Sequence, residues 1–390
     1  SRYITSVSSD PNGENIVVTA RGRVFVVPVK TGRTISFTEN KGVRYRDAIF
    51  SHDGKEIITL SDESGEFEFV KLNSTGSDNQ TKITKNGTTL RYQGIPSPDG
   101  KWIAYDDLES NMYILDIKTG ESKKISSNNE GIRDFSWSPD SKWLAFVQTA
   151  FNSMSQIIVY NIRDESKFNL TTDRANSFSV KWSPDGKFIY FLSDRSFTTL
   201  VGSPWGTRQP EPYWDASEKL YHVSLEKGTR SPFREDDELM EKNEDKKQKN
   251  KENKVVVSID KEGIQSRIEE VPVSAGNYSY IDLNDKAIYI MSRETGIYAN
   301  SNIKVLSISN EDIKLNDMAT DVSGFELTRD GKKILIRKGR SFFMTRAGTG
   351  KANLSDSRIS FSGWKFSINP REDWKQIYKD AWRMERDYFY

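Results

Sequence analysis

Residues 178–193 read Phe-Ser-Val-Lys-Trp-Ser-Pro-Asp-Gly-Lys-Phe-Ile-Tyr-Phe-Leu-Ser. Aromatic and β-branched runs flank a Ser-Pro-Asp-Gly tetrapeptide, which predicts a strand, a tight turn and a second strand. Pro184 presets φ for a turn position, and Gly186 supplies the positive φ that a side chain resists. The phrase recurs at 48–60, 94–105, 135–146 and 327–336, with weaker copies beginning at Asp10 and Asp282. Aligned on the first turn residue, the copies fall at Asn12, Asp53, Asp99, Asp140, Asp185, Asn284 and Asp330, with steps of 41, 46, 41, 45, 99 and 46 residues. A period in the forties with several strands per unit is the signature of a β-propeller.

Each copy continues in the same way. After Trp102–Tyr105 come Asn111–Asp116, a Thr119-Gly120 turn and a run to Ile125, which completes four antiparallel strands. The expected fold is all-β, a seven-bladed β-propeller of four-stranded antiparallel blades followed by a short C-terminal α-helix. Residues 1–368 form the propeller and 369–390 the helix. The step of 99 falls in the fifth repeat, which carries two insertions, 196–219 and 234–254. The first is rich in Pro, Trp and Tyr. The second holds 8 acidic and 7 basic residues in 21 and reads as a solvated excursion. Strand patterns resume at Lys219–Leu225, Val255–Ile259 and Ile264–Val273. That is material for one blade, so seven blades are expected rather than eight. Ile359–Ile368 is a further candidate strand. Asn369-Pro-Arg-Glu372 reads as a helix start, with Asn as N-cap and Pro at the first position. Trp374, Ile377, Tyr378, Ala381 and Tyr388 follow at helical spacing, a stripe that calls for another surface.

Lysine and arginine number 57 against 56 aspartates and glutamates, a net charge of +1. No global field exists to draw nucleic acid or an anionic membrane. Cysteine is absent, which excludes disulfides, thiol catalysis and cysteine metal sites. No apolar run approaches the ~20 residues of a membrane span. No phosphate loop, dinucleotide fingerprint or nucleophile elbow is present, and no cofactor or metal is expected. Of two histidines, His52 replaces a turn proline and His222 sits mid-strand, so neither is placed as the base of a nucleophile.

Function in a propeller concentrates at the axis and the loop-bearing rims. Seven residues before the aligned turn residue lie Thr5, Arg46, Tyr92, Arg133, Phe178, Asn277 and Ser323. One position on are Ser6, Asp47, Gln93, Asp134, Ser179, Tyr278 and Gly324. Strand neighbours point opposite ways, so one set is expected to face the channel. Arg46-Asp47 and Arg133-Asp134 recur as a pair. The pairs read either as an inter-blade network or as arginines that hold a peptide carboxylate, for which a guanidinium fork is suited. Arg46, Asp47, Tyr92, Arg133, Asp134, Phe178 and Asn277 are the substrate-channel candidates.

The Ser-Pro-Asp-Gly-Lys-x-Ile-Ala-Tyr phrase with Asp-Ile-x-Thr-Gly-Glu resembles the repeats of TolB-like and tricorn-like propellers. Residues 368–390, Ile-Asn-Pro-Arg-Glu-Asp-Trp-Lys-Gln-Ile-Tyr-Lys-Asp-Ala-Trp-Arg-Met-Glu-Arg-Asp-Tyr-Phe-Tyr, resemble the segment leading from the second propeller of tricorn-like serine peptidases into their catalytic half. Glu269–Tyr278 resembles that family's sixth-blade entry. The resemblance implies a non-catalytic propeller that guides or selects peptides for a serine nucleophile in downstream domains. A PDZ-like domain between the catalytic parts completes the implied partners; a homo-oligomer is a separate expectation, not carried by the resemblance. No catalytic motif of the family falls within this chain. A protein-binding scaffold of TolB type is the competing reading, and a propeller enzyme with its own axial site ranks third. The missing cysteine and starting methionine favour a periplasmic or exported location over a cytoplasmic one.

Overall fold

The computed structural model describes residues 3–37, 42–76, 80–195, 199–202, 211–236, 255–296, 299–362 and 364–389. They form seven antiparallel sheets of propeller-blade type and one α-helix. The contacts divide the chain into two compact units. One comprises Ser1–Ile132, Ser323–Ala347 and Asn353–Tyr390; the other comprises Arg133–Val322 and Gly348–Ala352.

The first unit holds blades one, two, three and seven. Blade one runs Ile4–Ser9, Asn15–Ala20, Arg23–Pro28, Ile35–Ser36, and blade two Tyr45–Phe50, Glu56–Ser61, Glu68–Asn73, Thr81–Lys82. Blade three runs Ile95–Pro96, Trp102–Asp106, Asn111–Asp116, Ser122–Ser127. Blade seven is reduced to three strands, Gly324–Leu327, Lys333–Lys338 and Ser341–Arg346, with one bridge from Phe343 to Arg358 on its outer edge. The second unit holds blade four (Ile132–Trp137, Trp143–Thr149, Ser155–Asn161, Lys167–Asn169) and blade six (Asn277–Leu283, Ala287–Arg293, Ser301–Ser307, Leu315–Ala319). Between them in sequence lies blade five, built from Ser177–Trp182, Phe188–Ser193, Lys219–Ser224 and Ile268–Glu270. Among the described residues the one further sheet is a two-stranded pair inside the first insertion, not an eighth blade.

The recurring phrase owes its form to its serine as much as to its glycine. The Ser97 hydroxyl donates to Asp99 Oδ1 at 2.7 Å and accepts the Trp102 N–H at 3.0 Å, while Lys101 N–H donates to the same carboxylate. The arrangement repeats at Ser51/Asp53, Ser138/Asp140, Ser183/Asp185 and Thr328/Asp330. Asp and Ser here satisfy turn N–H groups that no strand partner reaches. Four of the five turns place glycine at positive φ; in blade four Ser141 takes that conformation at φ 61°.

Within each unit, second strands are buried where neighbouring sheets cover them. Phe188–Ser193 is buried at every position. Between blades four and five, Trp143, Val159, Trp182, Phe191 and Tyr221 share one apolar cluster. Burying a ring of this size contributes about 2–3 kcal/mol, which suits an aromatic-rich chain of thin sheets.

Blade five departs from expectation in three places. Within the first insertion, Thr199–Gly202 pairs with Glu211–Trp214 as a separate hairpin. Val255–Ile259 is not a strand: Val257 is buried in the core and its N–H donates to Asp140 Oδ2 at 3.0 Å, so side-chain burial rather than a ladder places it. Ile264–Arg267 is a 3₁₀ turn that precedes the short fourth strand. Most of the charged insertion lies outside the described residues.

Ile359–Ile368 is not a strand either. Ile359 N–H donates to Phe342 O, and then the segment leaves the ladder as an aromatic strap. Trp364 meets Phe25 edge-on at 4.7 Å, and Phe366 lies 5.1 Å from the same ring. Large rings here gain more by covering blade one than by extending blade seven.

The helix spans Pro370–Tyr388, with Asn369 Oδ1 accepting the Arg371 N–H at 3.1 Å and Pro370 at the first position. It is amphipathic in the reverse of the usual sense. Its polar stripe faces blades one and two: Asp373 pairs with Arg21, Asp380 with Arg44 and Arg386 with Glu66. Gln376 and Arg383 are buried and both donate to Asp62 Oδ2, at 2.6 and 2.8 Å. Asp62 Oδ1 accepts the Arg44 N–H, so one buried carboxylate is satisfied by backbone, amide and guanidinium together. The apolar stripe faces outward, with Trp374 66 % and Tyr378 75 % exposed.

No helix is long and apolar enough to cross a membrane among the described residues.

Candidate functional site

The innermost strands do not alternate simply. Asp47, Asp134 and Ser179 take left-handed backbone conformations, with φ of 53°, 55° and 54°. The ladders of blades two and five skip register at this point, between Arg46 and Ile49 and between Phe178 and Lys181. Each is a β-bulge, which re-aims the side chains around it. The expectation that one of the two candidate sets faces one way and the other the opposite way is therefore corrected. Both members of Arg46-Asp47 are partly open to solvent and both members of Arg133-Asp134 fully so.

In the first unit, Arg46 Nε lies 3.8 Å from Asp47 Oδ2, and its guanidinium sits 5.2 Å over the buried Phe67 ring. The Arg46 side chain remains 41 % exposed. Its carbonyl accepts the Thr59 hydroxyl at 2.7 Å, which fixes the backbone behind it. Tyr92, on the third blade, is half-buried, and its hydroxyl lies 3.4 Å from that of Tyr388 on the helix. Burial and the Tyr388 contact hold the Tyr92 phenol neutral well above its ordinary range, with Asp106 adding to the shift and Arg46 opposing it. Asp106 ends the second strand of that blade. Burial, with the neighbouring Asp107 charge adding to it, pushes its carboxyl up to about 7. Arg46, Asp47, Tyr92, Asp106 and Tyr388 thus gather at one end of blades two and three.

In the second unit, Arg133 Nη2 donates to Ser155 Oγ at 2.7 Å within blade four. Asp134 accepts the Ser179 N–H at 2.8 Å, and Ser179 Oγ accepts the Ile281 N–H at 2.8 Å. Blades four, five and six are therefore laced through the bulge, which is the inter-blade network that the sequence offered as one reading. Phe178 is half-buried and packs against both neighbouring cores. Asn277 is engaged elsewhere: its amide donates to Asp215 and its carbonyl accepts the Ala216 N–H. It borders a cleft of about 580 Å³ formed with the Pro272–Tyr278 loop, Arg293 and Lys304.

Five residues that the aligned candidate positions do not include belong to these sites, Asp106 and Tyr388 in the first unit and Lys181, Tyr280 and Asp282 in the second. Lys181 Nζ lies 3.2 Å from Tyr280 Oη and 3.6 Å from Asp282 Oδ1. Burial works against its charge, yet Asp282 and Tyr280 hold the ammonium above its ordinary range. Lys181 and Tyr280 both stand four residues before their turn residue, so counting two steps further along the repeat would have found them. Tyr388 gave no such signal, because nothing in the helix sequence says which blade it meets. The histidines are structural. His222 is 1 % exposed, stacked on Tyr190 at 5.8 Å with its Nδ1 3.2 Å from Glu269 O, and His52 stands at its turn against Gly100.

The "Tricorn protease homolog" of Saccharolobus solfataricus is 24% identical over 97% of this chain, which spans 34% of that protein. The "Tricorn protease homolog 1" of Streptomyces coelicolor is 24% identical over 100% of the chain and 38% of its own length. The chain thus spans well under half the length of these curated relatives. A crystal structure of the tricorn protease matches 99% of the chain at TM-score 0.82 and 17% identity, over 37% of that chain, and so shares its propeller fold. Residues 4–348 match the family described as the tricorn protease second beta propeller domain, and the chain belongs to that family.

Proposed function

We propose that this chain is the non-catalytic, peptide-selecting propeller portion of a tricorn-like serine peptidase, with the nucleophile in a separate catalytic domain. Arg46 in the first unit and Arg133 in the second each offer a guanidinium to the free C-terminal carboxylate of a peptide. The observation that carries this reading is the recurrence of one built feature: a solvent-accessible arginine immediately before a left-handed aspartate on an innermost strand, in blades two and four. Left-handed aspartate costs backbone energy, of order 1 kcal/mol, and persists where surrounding structure demands it. A guanidinium offers a planar fork for a carboxylate, and among the described residues the carboxylate beside Arg46 is that of Asp47, at a long 3.8 Å.

Short peptides with free or amidated C-termini, titrated against the chain and its Arg46→Ala and Arg133→Ala variants, test this. Carboxylate-dependent binding weakened about tenfold or more by at least one of the two changes is expected, the scale of a charge-assisted hydrogen bond. Equal binding of free and amidated peptides would remove the selecting role and leave a docking platform.

A further inference from the structure

The end of the helix is part of the surface around Arg46. Phe67, 3 % exposed, carries two guanidinium groups, Arg46 at 5.2 Å from the inner strand and Arg383 at 5.1 Å from the helix. One buried ring therefore lies beneath both. Arg383 is pinned by Asp62 and by Gly65 O at 2.6 Å, and Arg386 by Glu66. Tyr388 follows within five residues of that anchor and reaches Tyr92. Its hydroxyl contact at 3.4 Å is too long to be what holds it there. The Tyr388 side chain stays 58 % exposed and Tyr92 half-buried, so two phenol rings stand open to solvent close to a guanidinium.

We infer that Tyr388 and Tyr92 form a side-chain subsite beside Arg46, one that favours peptides ending in an aromatic or large apolar residue. This rests on the reading of Arg46 as the carboxylate anchor. A carboxylate on the fork leaves its own side chain a ring's breadth away, where an offset-stacked or edge-on aromatic contact is available. Asp47, beside Arg46, disfavours an acidic last residue. The helix beyond the blades thereby helps decide what the blades select.

The test uses the chain with tetrapeptides Ala-Ala-Ala-X, where X is Phe, Leu or Glu, and an amidated Phe peptide, read by calorimetry. The expected result is tighter binding of the Phe than the Glu peptide, with loss on amidation. Tyr388→Ala should weaken the Phe peptide about fivefold and leave the Glu peptide unchanged, while Tyr388→Phe keeps the wild-type affinity. Tyr388 is exposed, so the variants fold. Carboxylate-dependent binding that ignores X, or that Tyr388→Ala does not alter, overturns the subsite and spares the anchor. Binding without carboxylate dependence, or no binding, overturns both.

Discussion

His222 offers a measurement of how tightly the fifth blade excludes water. Its ring is enclosed by Phe188, Tyr190 and Phe233, at 5.6, 5.8 and 5.7 Å between centroids. Burial, only partly offset by the Glu269 carbonyl, lowers its pKa from 6.5 to about 4. The neutral ring is the folded form. As the pH falls through about 6.5 the unfolded chain takes up a proton that the folded chain refuses. Stability present above the unfolded value is thus lost on the way down to about 4 and levels off below. The full span is worth about 3 kcal/mol, of which about 2 kcal/mol falls between roughly pH 7 and pH 5. Urea unfolding of wild type and His222→Phe at those two pH values isolates this contribution. Any constant packing cost of the larger ring cancels when each protein is compared with itself. The variant should lose about 2 kcal/mol less than wild type on acidification. Identical pH dependence in the two proteins would refute a neutral, dehydrated His222.

Asp106 should show the opposite sign. Its carboxyl is raised to about 7, so stability present at acid pH is lost as the pH climbs from the unfolded value of 3.8. Asp106→Asn should therefore gain about 3 kcal/mol on wild type between roughly pH 5 and pH 8, read by the same unfolding curves; a parallel pH dependence would sink it. Arg383→Ala removes the buried partner of Asp62. At about 3 kcal/mol for a broken buried pair, trypsin should cut within 371–386 about a hundredfold faster while the blades resist, and an unchanged cleavage rate would show that the exposed ion pairs hold the helix alone.

The propeller was legible because its turns repeat. Ser, Asp and Gly at fixed offsets each do a local job that no tertiary context alters, so five copies announce five hairpins. The bulges were not legible. Asp47, Asp134 and Ser179 adopt positive φ without the glycine that advertises it, and only the inter-blade hydrogen bonds to Asp134 and Ser179 explain the choice in blades four and five. That is why the arginine-aspartate pairs were found in sequence while their geometry was not. Val255–Ile259 and Ile359–Ile368 read as strands because apolar alternation marks burial, and burial is what they achieve, against Asp140 in one case and Phe25 in the other. The Lys181–Asp282 pair joins residues a blade apart, a relation that repeat spacing suggests only when positions nearer the turn are compared.

The reversed helix has a consequence for how the joint responds to salt. Surface pairs such as Arg386–Glu66 and Arg21–Asp373 weaken once the Debye length, about 10 Å at 0.1 M, shortens further. The Arg383–Asp62 contact, shut away from solvent, is screened far less. Meanwhile the outward stripe of Trp374, Ile377, Tyr378 and Trp382 grips any apolar neighbour more firmly in salting-out conditions. Rising ionic strength therefore shifts the helix's allegiance from the blades to whatever it meets on its other side, and leaves it turning on a single pin.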